Sequence, residues 1–181
     1  MKITKTAIEG LLVIEPSVFE DKRGYFFESY NEMNYKAAGI TNRFVQDNQS
    51  KSAYGVIRGL HMQLDPFAQA KLIRVLEGAV FDVAVDVRKN SPTFGKWFGM
   101  ELSAENKMQM LVPKGCCHGF SVISETAIVF YKCDEFYKPG SEAGIRFDDP
   151  DLGIDWRIPA DKAIVSEKDT GLPFLKDSKF A

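Results

Sequence analysis

Histidine is scarce in this chain of 181 residues: only His61 and His118 are present. Few groups can therefore move protons near neutral pH. Cysteine is almost as rare, with three residues, two of them adjacent as Cys116 and Cys117. An odd, clustered set does not make a disulfide framework and suits reduced thiols. Cys116, Cys117 and His118 have the right composition for zinc, but their spacing matches no standard site, and both thiols read as small buried residues at a bend. No apolar run approaches the roughly 20 residues needed to span a bilayer. The start of the chain, Met1-Lys2-Ile3-Thr4-Lys5-Thr6 followed by Glu9 and Gly10, has no signal-peptide core. These features point to a cytoplasmic protein with no membrane partner. A net charge of −2 without a basic run argues against nucleic acid as a partner.

What the chain does have is enough apolar material for a core, at 45% hydrophobic and 12% aromatic residues, with 27% charged residues to cover it. The length fits a single domain over 1–181. Short β-like runs cover Gly10 to Ile14, Val18 to Tyr30 with a bend at Lys22-Arg23-Gly24, Phe44 to Asp47 and Val56 to Gln63. Val80 to Val87 has the clearest period of two: Phe81, Val83, Val85 and Val87 share one face, and Asp82 and Asp86 the other, as expected of a strand with one apolar face. Leu72 to Leu76, Trp97 to Leu102, Met108 to Val112, Phe120 to Ile123 and Ala127 to Cys133 complete the set. Only Asn31 to Ala38 reads as a helix, with Asn31 as N-cap and Gly39 as the stop. Many short strands with Gly and Pro bends indicate an all-β sandwich or jelly roll. The stretch 148–181, with Pro150, Pro159 and Pro173, reads as an irregular wrap around the barrel. Its polar end, Ser166-Glu167-Lys168-Asp169, is an odd core segment and suits a lid or site wall.

Eight segments in order carry a resemblance. They are Asp21 through Ser29, Phe44-Val45-Gln46-Asp47-Asn48, Gly55 through Gln63, Ala70-Lys71-Leu72-Ile73-Arg74, Phe81 through Arg88, Ser91-Pro92-Thr93-Phe94-Gly95, Pro113 through Phe120, and Ser166 through Asp169. Along essentially its whole length the chain resembles the dTDP-4-dehydrorhamnose 3,5-epimerase family. That resemblance implies a cupin-type double-stranded β-helix (jelly roll) with a few short helices. It also implies a homodimer in which N-terminal strands cross between subunits. Met62, Gln49 and the Cys116-Cys117 pair depart from the family's usual residues, which bears on the shape of the pocket.

The implied substrate is a nucleotide-linked 4-keto-6-deoxyhexose whose C3 and C5 hydrogens flank the C4 ketone. Inversion requires a base on one face, a stabiliser for the enolate, and an acid on the other face. His61, with an unperturbed pKa of about 6.5, qualifies as the base. Its neighbour Arg58 would lower that value if it were unpaired, so a carboxylate partner is expected, and by resemblance it is Asp169. The enolate oxygen needs a fixed positive group, and the resemblance assigns Lys71. Read alone, Lys71 would snorkel to solvent as readily as point inward. The acid by resemblance is Tyr131, where packing alone would also explain an aromatic. Arg23 and Arg58 suit a pyrophosphate, because guanidinium forks match its oxygens. By resemblance Gln46, Asn48, Glu28, His118 and Lys168 contact nucleotide or hexose, Glu142 lies near the nucleoside, and Phe26 and Tyr137 stack on the base or pack on the sugar.

No metal and no other cofactor is expected. Metal cupins present a His-x-His pair, but the second position here is Gln63, a poor transition-metal ligand, and Lys71 would repel a cation. A non-catalytic nucleotide-sugar binder would need no opposed acid and base. An epimerase acting at C3 or C5 alone, or a 3,4-ketoisomerase, shares the scaffold and stays open at this level.

Overall fold

Short alternating runs broken by glycine and proline fold into strands almost throughout. The computed structural model describes residues 1–180. In chain order the first elements are β1 (Lys2–Lys5), β2 (Leu12–Glu15), β3 (Val18–Asp21), β4 (Gly24–Phe27) and the helix α1 (Glu32–Ala37). There follow β5 (Gln46–Ala53), β6 (Val56–Gln63), β7 (Lys71–Glu77), β8 (Ala79–Asp86), β9 (Trp97–Ser103) and β10 (Gln109–Val112). The last are β11 (Cys116–Val122), β12 (Thr126–Cys133), β13 (Glu142–Gly144), β14 (Ile164–Val165) and a one-turn helix α2 (Glu167–Thr170).

One sheet runs β1-β2-β10-β7-β12-β5, and the other β13-β6-β11-β8-β9, with β14 added in parallel beside β6. β3 and β4 form a separate hairpin. The two large sheets pack face to face as a jelly roll. Ile73, Val75, Met110 and Val129 of the first meet Val80, Ala84, Leu102 and Val122 of the second in a shared core. Fully burying such a side chain contributes about 1.5–3 kcal/mol.

A second core lies outside the β6–β9 sheet. Ile57, Leu60, Phe81, Val83 and Val85 pack there against Leu152, Trp156, Leu175 and Phe180 of the C-terminal stretch. β8 is therefore buried on both faces, and the expectation of a single apolar face needs correction. Asp82 and Asp86 point into the protein, each fully inaccessible. Both survive there because each is paired: Asp82 with His118, and Asp86 with Arg88, Ser91 and Thr93.

α1 begins where expected, with Asn31 Oδ1 accepting the amides of Met33 and Asn34 at 3.0 and 3.2 Å. Gly39, at φ +87°, lies just past its C-cap Ala38. Two strands are longer than the sequence indicates. β5 runs on through the polar residues to Ala53, and β11 begins at Cys116, so the two thiols lie in a strand and not at a bend. The polar Glu167–Thr170 stretch adds a second helix.

Candidate active site

Arg58 and His61 are three residues apart on β6, and an uninterrupted strand would place them on opposite faces. The structure resolves this with a β-bulge. His118 pairs with His61 and Phe120 with Arg58, so two steps along β11 match three along β6. Both side chains consequently line the same cavity between the sheets. The bulge depends on a pair of glycines in close contact. A Cβ on Gly59, at φ +123°, would stand 2.6 Å from Gly119 Cα, and one on Gly119 would stand 2.6 Å from Arg58 O.

The facing sheet contributes Lys71 on β7 and Tyr131 on β12. Lys71 pairs with Cys133 across the ladder, two positions from Tyr131, so both project to the same side. Lys71 Nζ sits 5.8 Å from the Tyr131 ring centroid. β5 adds Gln46 and Asn48, with Asn48 directly opposite Tyr131.

The cavity has two lobes. One, of about 550 Å³, is lined by Arg58, His118, Ser50, Ser166, Lys168 and Asp169 among others. The second, of about 260 Å³, is lined by Gln46, Asn48, Met62, Gln63, Gln69, Tyr137 and Glu142. His61, Lys71 and Tyr131 are the residues that line both. Across the mouth, Lys168 Nζ reaches Glu142 Oε2 at 2.9 Å.

His61 Nε2 lies 2.7 Å from Asp169 Oδ1. Burial lowers the His61 pKa, Lys71 and Lys168 add to the lowering, and Asp169 opposes it. The expected carboxylate partner is present, and the cations that lower the value are Lys71 and Lys168, while Arg58 Nε donates to Ser52 Oγ at 3.1 Å. Burial also lowers the Lys71 ammonium pKa, partly offset by Cys133, Cys117, Asp82 and Glu142. It raises the Tyr131 phenol, keeping it protonated. His118 is held by Asp82 Oδ1 at 2.8 Å, and the other oxygen of Asp82 is buried without a partner.

Three residues expected at the site are elsewhere in the single chain. Arg23 and Phe26 line a separate depression on the β3–β4 hairpin, where Arg23 pairs with Asp21 at 2.6 Å. Glu28 accepts from Asn31 and Asn34 at the start of α1. Gln63 has its side chain taken up by Phe67 O, Phe136 O and the Lys138 amide. Among the described residues no three His, Cys, Asp or Glu side chains cluster as metal ligands. Asp82 and Gly59 are in or beside the site although the sequence did not single them out, and Ser166 lines the cavity as expected of a site wall. The glycine in Arg58-Gly59-Leu60-His61 was the available signal for a bulge.

The family model for dTDP-4-dehydrorhamnose 3,5-epimerase matches residues 5–177. The chain belongs to that family. An epimerase of this name from Pseudomonas aeruginosa is 53% identical over 170 residues, 93% of each chain. The crystal structure of the Elizabethkingia anophelis epimerase is 58% identical with a TM-score of 0.93, covering 98% of this chain and 97% of that one. The dTDP-6-deoxy-D-glucose-3,5-epimerase of Legionella pneumophila, solved in complex with dTDP-4-keto-L-rhamnose, is 48% identical with a TM-score of 0.93, covering 97% and 93%. Membership of this isomerase family accounts for the jelly roll and for a cavity of nucleotide-sugar size.

Proposed function

We propose that this protein epimerises C3 and C5 of dTDP-4-dehydro-6-deoxy-D-glucose to give dTDP-4-dehydro-L-rhamnose. The observation that carries this reading is the shared wall of the two lobes, where His61 comes from one sheet and Lys71 and Tyr131 from the other. A hexose seated there has a base on one side and a phenol on the opposite side. Neutral His61 takes the proton alpha to the ketone, and Asp169 stabilises the imidazolium that forms. Lys71 donates to the C4 oxygen as it gains negative charge. Tyr131 returns a proton to the other face and recovers its own from solvent, and His61 releases to solvent the proton it took before the second inversion. Both hydrogens flank one carbonyl, so Lys71 at the C4 oxygen stabilises two successive enolates, one formed toward C3 and one toward C5.

Arg58, His118 and Lys168 suit the diphosphate and hexose on the cationic side, and Gln46, Asn48, Tyr137 and Glu142 the nucleoside on the amide-rich side. Arg23, Phe26 and Glu28 join the site if a second copy's hairpin crosses over, which supports a homodimer as the working unit. Exposure of 66% at Phe19 and 71% at Phe26 on that hairpin fits such a crossing. Cys116, Cys117 and Cys133 are buried free thiols, which fits a reducing cytoplasm.

The test is incubation with dTDP-4-keto-6-deoxyglucose in deuterated water, with label located by NMR. Deuterium at both C3 and C5 is expected. Label at one carbon would indicate a mono-epimerase, migration of the keto group a ketoisomerase, and no label a binding module.

A further inference from the structure

β6 carries the base, yet no single strand covers its open side. β14 pairs in parallel with Val56 and Ile57, and β13 pairs antiparallel with His61 through Gln63. Between them Leu60 exchanges hydrogen bonds with Ile145, and the Gly59 amide donates to Asp169 Oδ2 at 3.1 Å. The other oxygen of that carboxylate holds His61. Asp169 is only 3% exposed, so its two hydrogen bonds are made away from bulk water.

The placement of Asp169 depends on Ser166. Ser166 is the N-cap of α2, and its Oγ accepts the Asp169 amide at 3.1 Å. Its carbonyl accepts the amides of Asp169 and Thr170 at 3.1 and 3.0 Å. Asp169 is thus the third residue of the helix, where an acidic side chain commonly turns back to the cap amide. Here it turns outward to Gly59 and His61. A helix of four residues has little stability of its own, so its cap matters more than in a longer one.

We propose that Ser166 is a positioning residue: by capping α2, its hydroxyl sets the Asp169 carboxylate against both His61 and Gly59. The role rests on the reading of His61 as the base, since only then does the aim of Asp169 govern the rate. Ser166 also lines the cavity, so direct contact with substrate is the competing role. His61 is faced by Lys71 on β7, His118 on β11, Tyr131 on β12, Glu142 on β13, Lys168 and Asp169 on α2, and Arg58 on its own strand. Of the groups that shift it, Asp169 alone raises its pKa. A displaced Asp169 therefore leaves the imidazole easier to deprotonate.

The experiment is NMR titration of the imidazoles beside steady-state kinetics, for wild type, Ser166→Ala, Ser166→Thr and Ser166→Asn. With only two histidines the signals are readily assigned. The alanine variant is expected to titrate His61 at lower pH. Its kcat should fall about tenfold with KM close to wild type, in line with the rate cost of displacing a catalytic group by a fraction of an ångström. Threonine and asparagine, both competent caps, should restore both readouts. An unmoved His61 titration in Ser166→Ala would overturn the role, as would a rise in KM alone, or capping variants as impaired as alanine. Loss of the barrel in Ser166→Ala, visible as collapse of the His118 signal, would also overturn it. The titration needs no substrate, so it decides the role of Ser166 separately from the identity of the reaction.

Discussion

His61 and His118 stand directly opposite each other on β6 and β11, each held by a different aspartate. Their surroundings separate their roles. The His61 side chain is 36% exposed to the cavity, whereas that of His118 is 6% exposed and locked against Asp82. His61→Asn should therefore abolish exchange of both substrate protons, a loss of at least about 10²-fold. His118→Asn should weaken binding and leave measurable exchange. Deuterium uptake at C3 and C5 in the two variants checks this, and wild-type exchange in His61→Asn would assign the base elsewhere.

Tyr131→Phe should separate the two halves of each inversion. The enolate can still form at His61, but it is then reprotonated from the face it left. Exchange should persist while net inversion falls by about 10²-fold or more. Exchange and inversion in the wild-type ratio would rule out Tyr131 as the acid.

The pH profile follows from the directions of three shifts. His61 must be neutral to accept a proton, and burial holds its pKa below the usual histidine value. The acid limb of kcat/KM should therefore lie below about 6.5, with activity lost as pH falls through the lowered value. On the alkaline side, burial brings Lys71 down toward the working range and carries Tyr131 away from it. That limb belongs to Lys71: Lys71→Arg should move it upward in residual proton exchange, and Tyr131→Phe should leave it in place.

Stability at low pH should depend on Asp86. Burial alone would raise its pKa, but hydrogen bonds from Arg88, Ser91 and Thr93 hold it well below the carboxylate range. Its folded value is depressed, so its contribution is complete above the unfolded pKa of about 3.9 and is lost as pH falls toward the folded one. Asp86→Asn should cost about 2 kcal/mol at pH 7 by urea unfolding, and the difference should shrink below pH of about 4. A pH-independent difference would contradict the assignment.

Chelation should leave activity intact. Gln63, at the second position of what would be a His-x-His pair, is fully engaged by Phe67, Phe136 and Lys138, and Lys71 adds positive charge to the cavity. Loss of turnover with EDTA, restored by one divalent metal, would show otherwise.

Most strands, an all-β sandwich or jelly roll, and the helix from Asn31 could be read from the chain because period-two patterns and caps are local properties; β1, β13 and β14 could not. Lys71 and Tyr131 came from the family resemblance, since alternation alone allows Lys71 to snorkel and explains Tyr131 by packing. Three further features could not be read locally. The inward turn of Asp82 depends on a second core outside β8, built by Leu152 and Trp156 far along the chain. The shared face of Arg58 and His61 depends on a bulge that only the pairing with β11 reveals. Ser166 reads only as part of a polar lid or site wall until Asp169, three residues on, is found against a strand 110 positions earlier.

Asp169 also has a bearing on how its own variants are interpreted. Because its carboxylate fills the place of a missing neighbour strand at Gly59, replacing it with alanine leaves a buried backbone donor unpaired at a sheet margin. Such a donor costs about 1–3 kcal/mol. Asp169 thus also ties β6 into the fold, and Asp169→Ala should lose stability along with turnover.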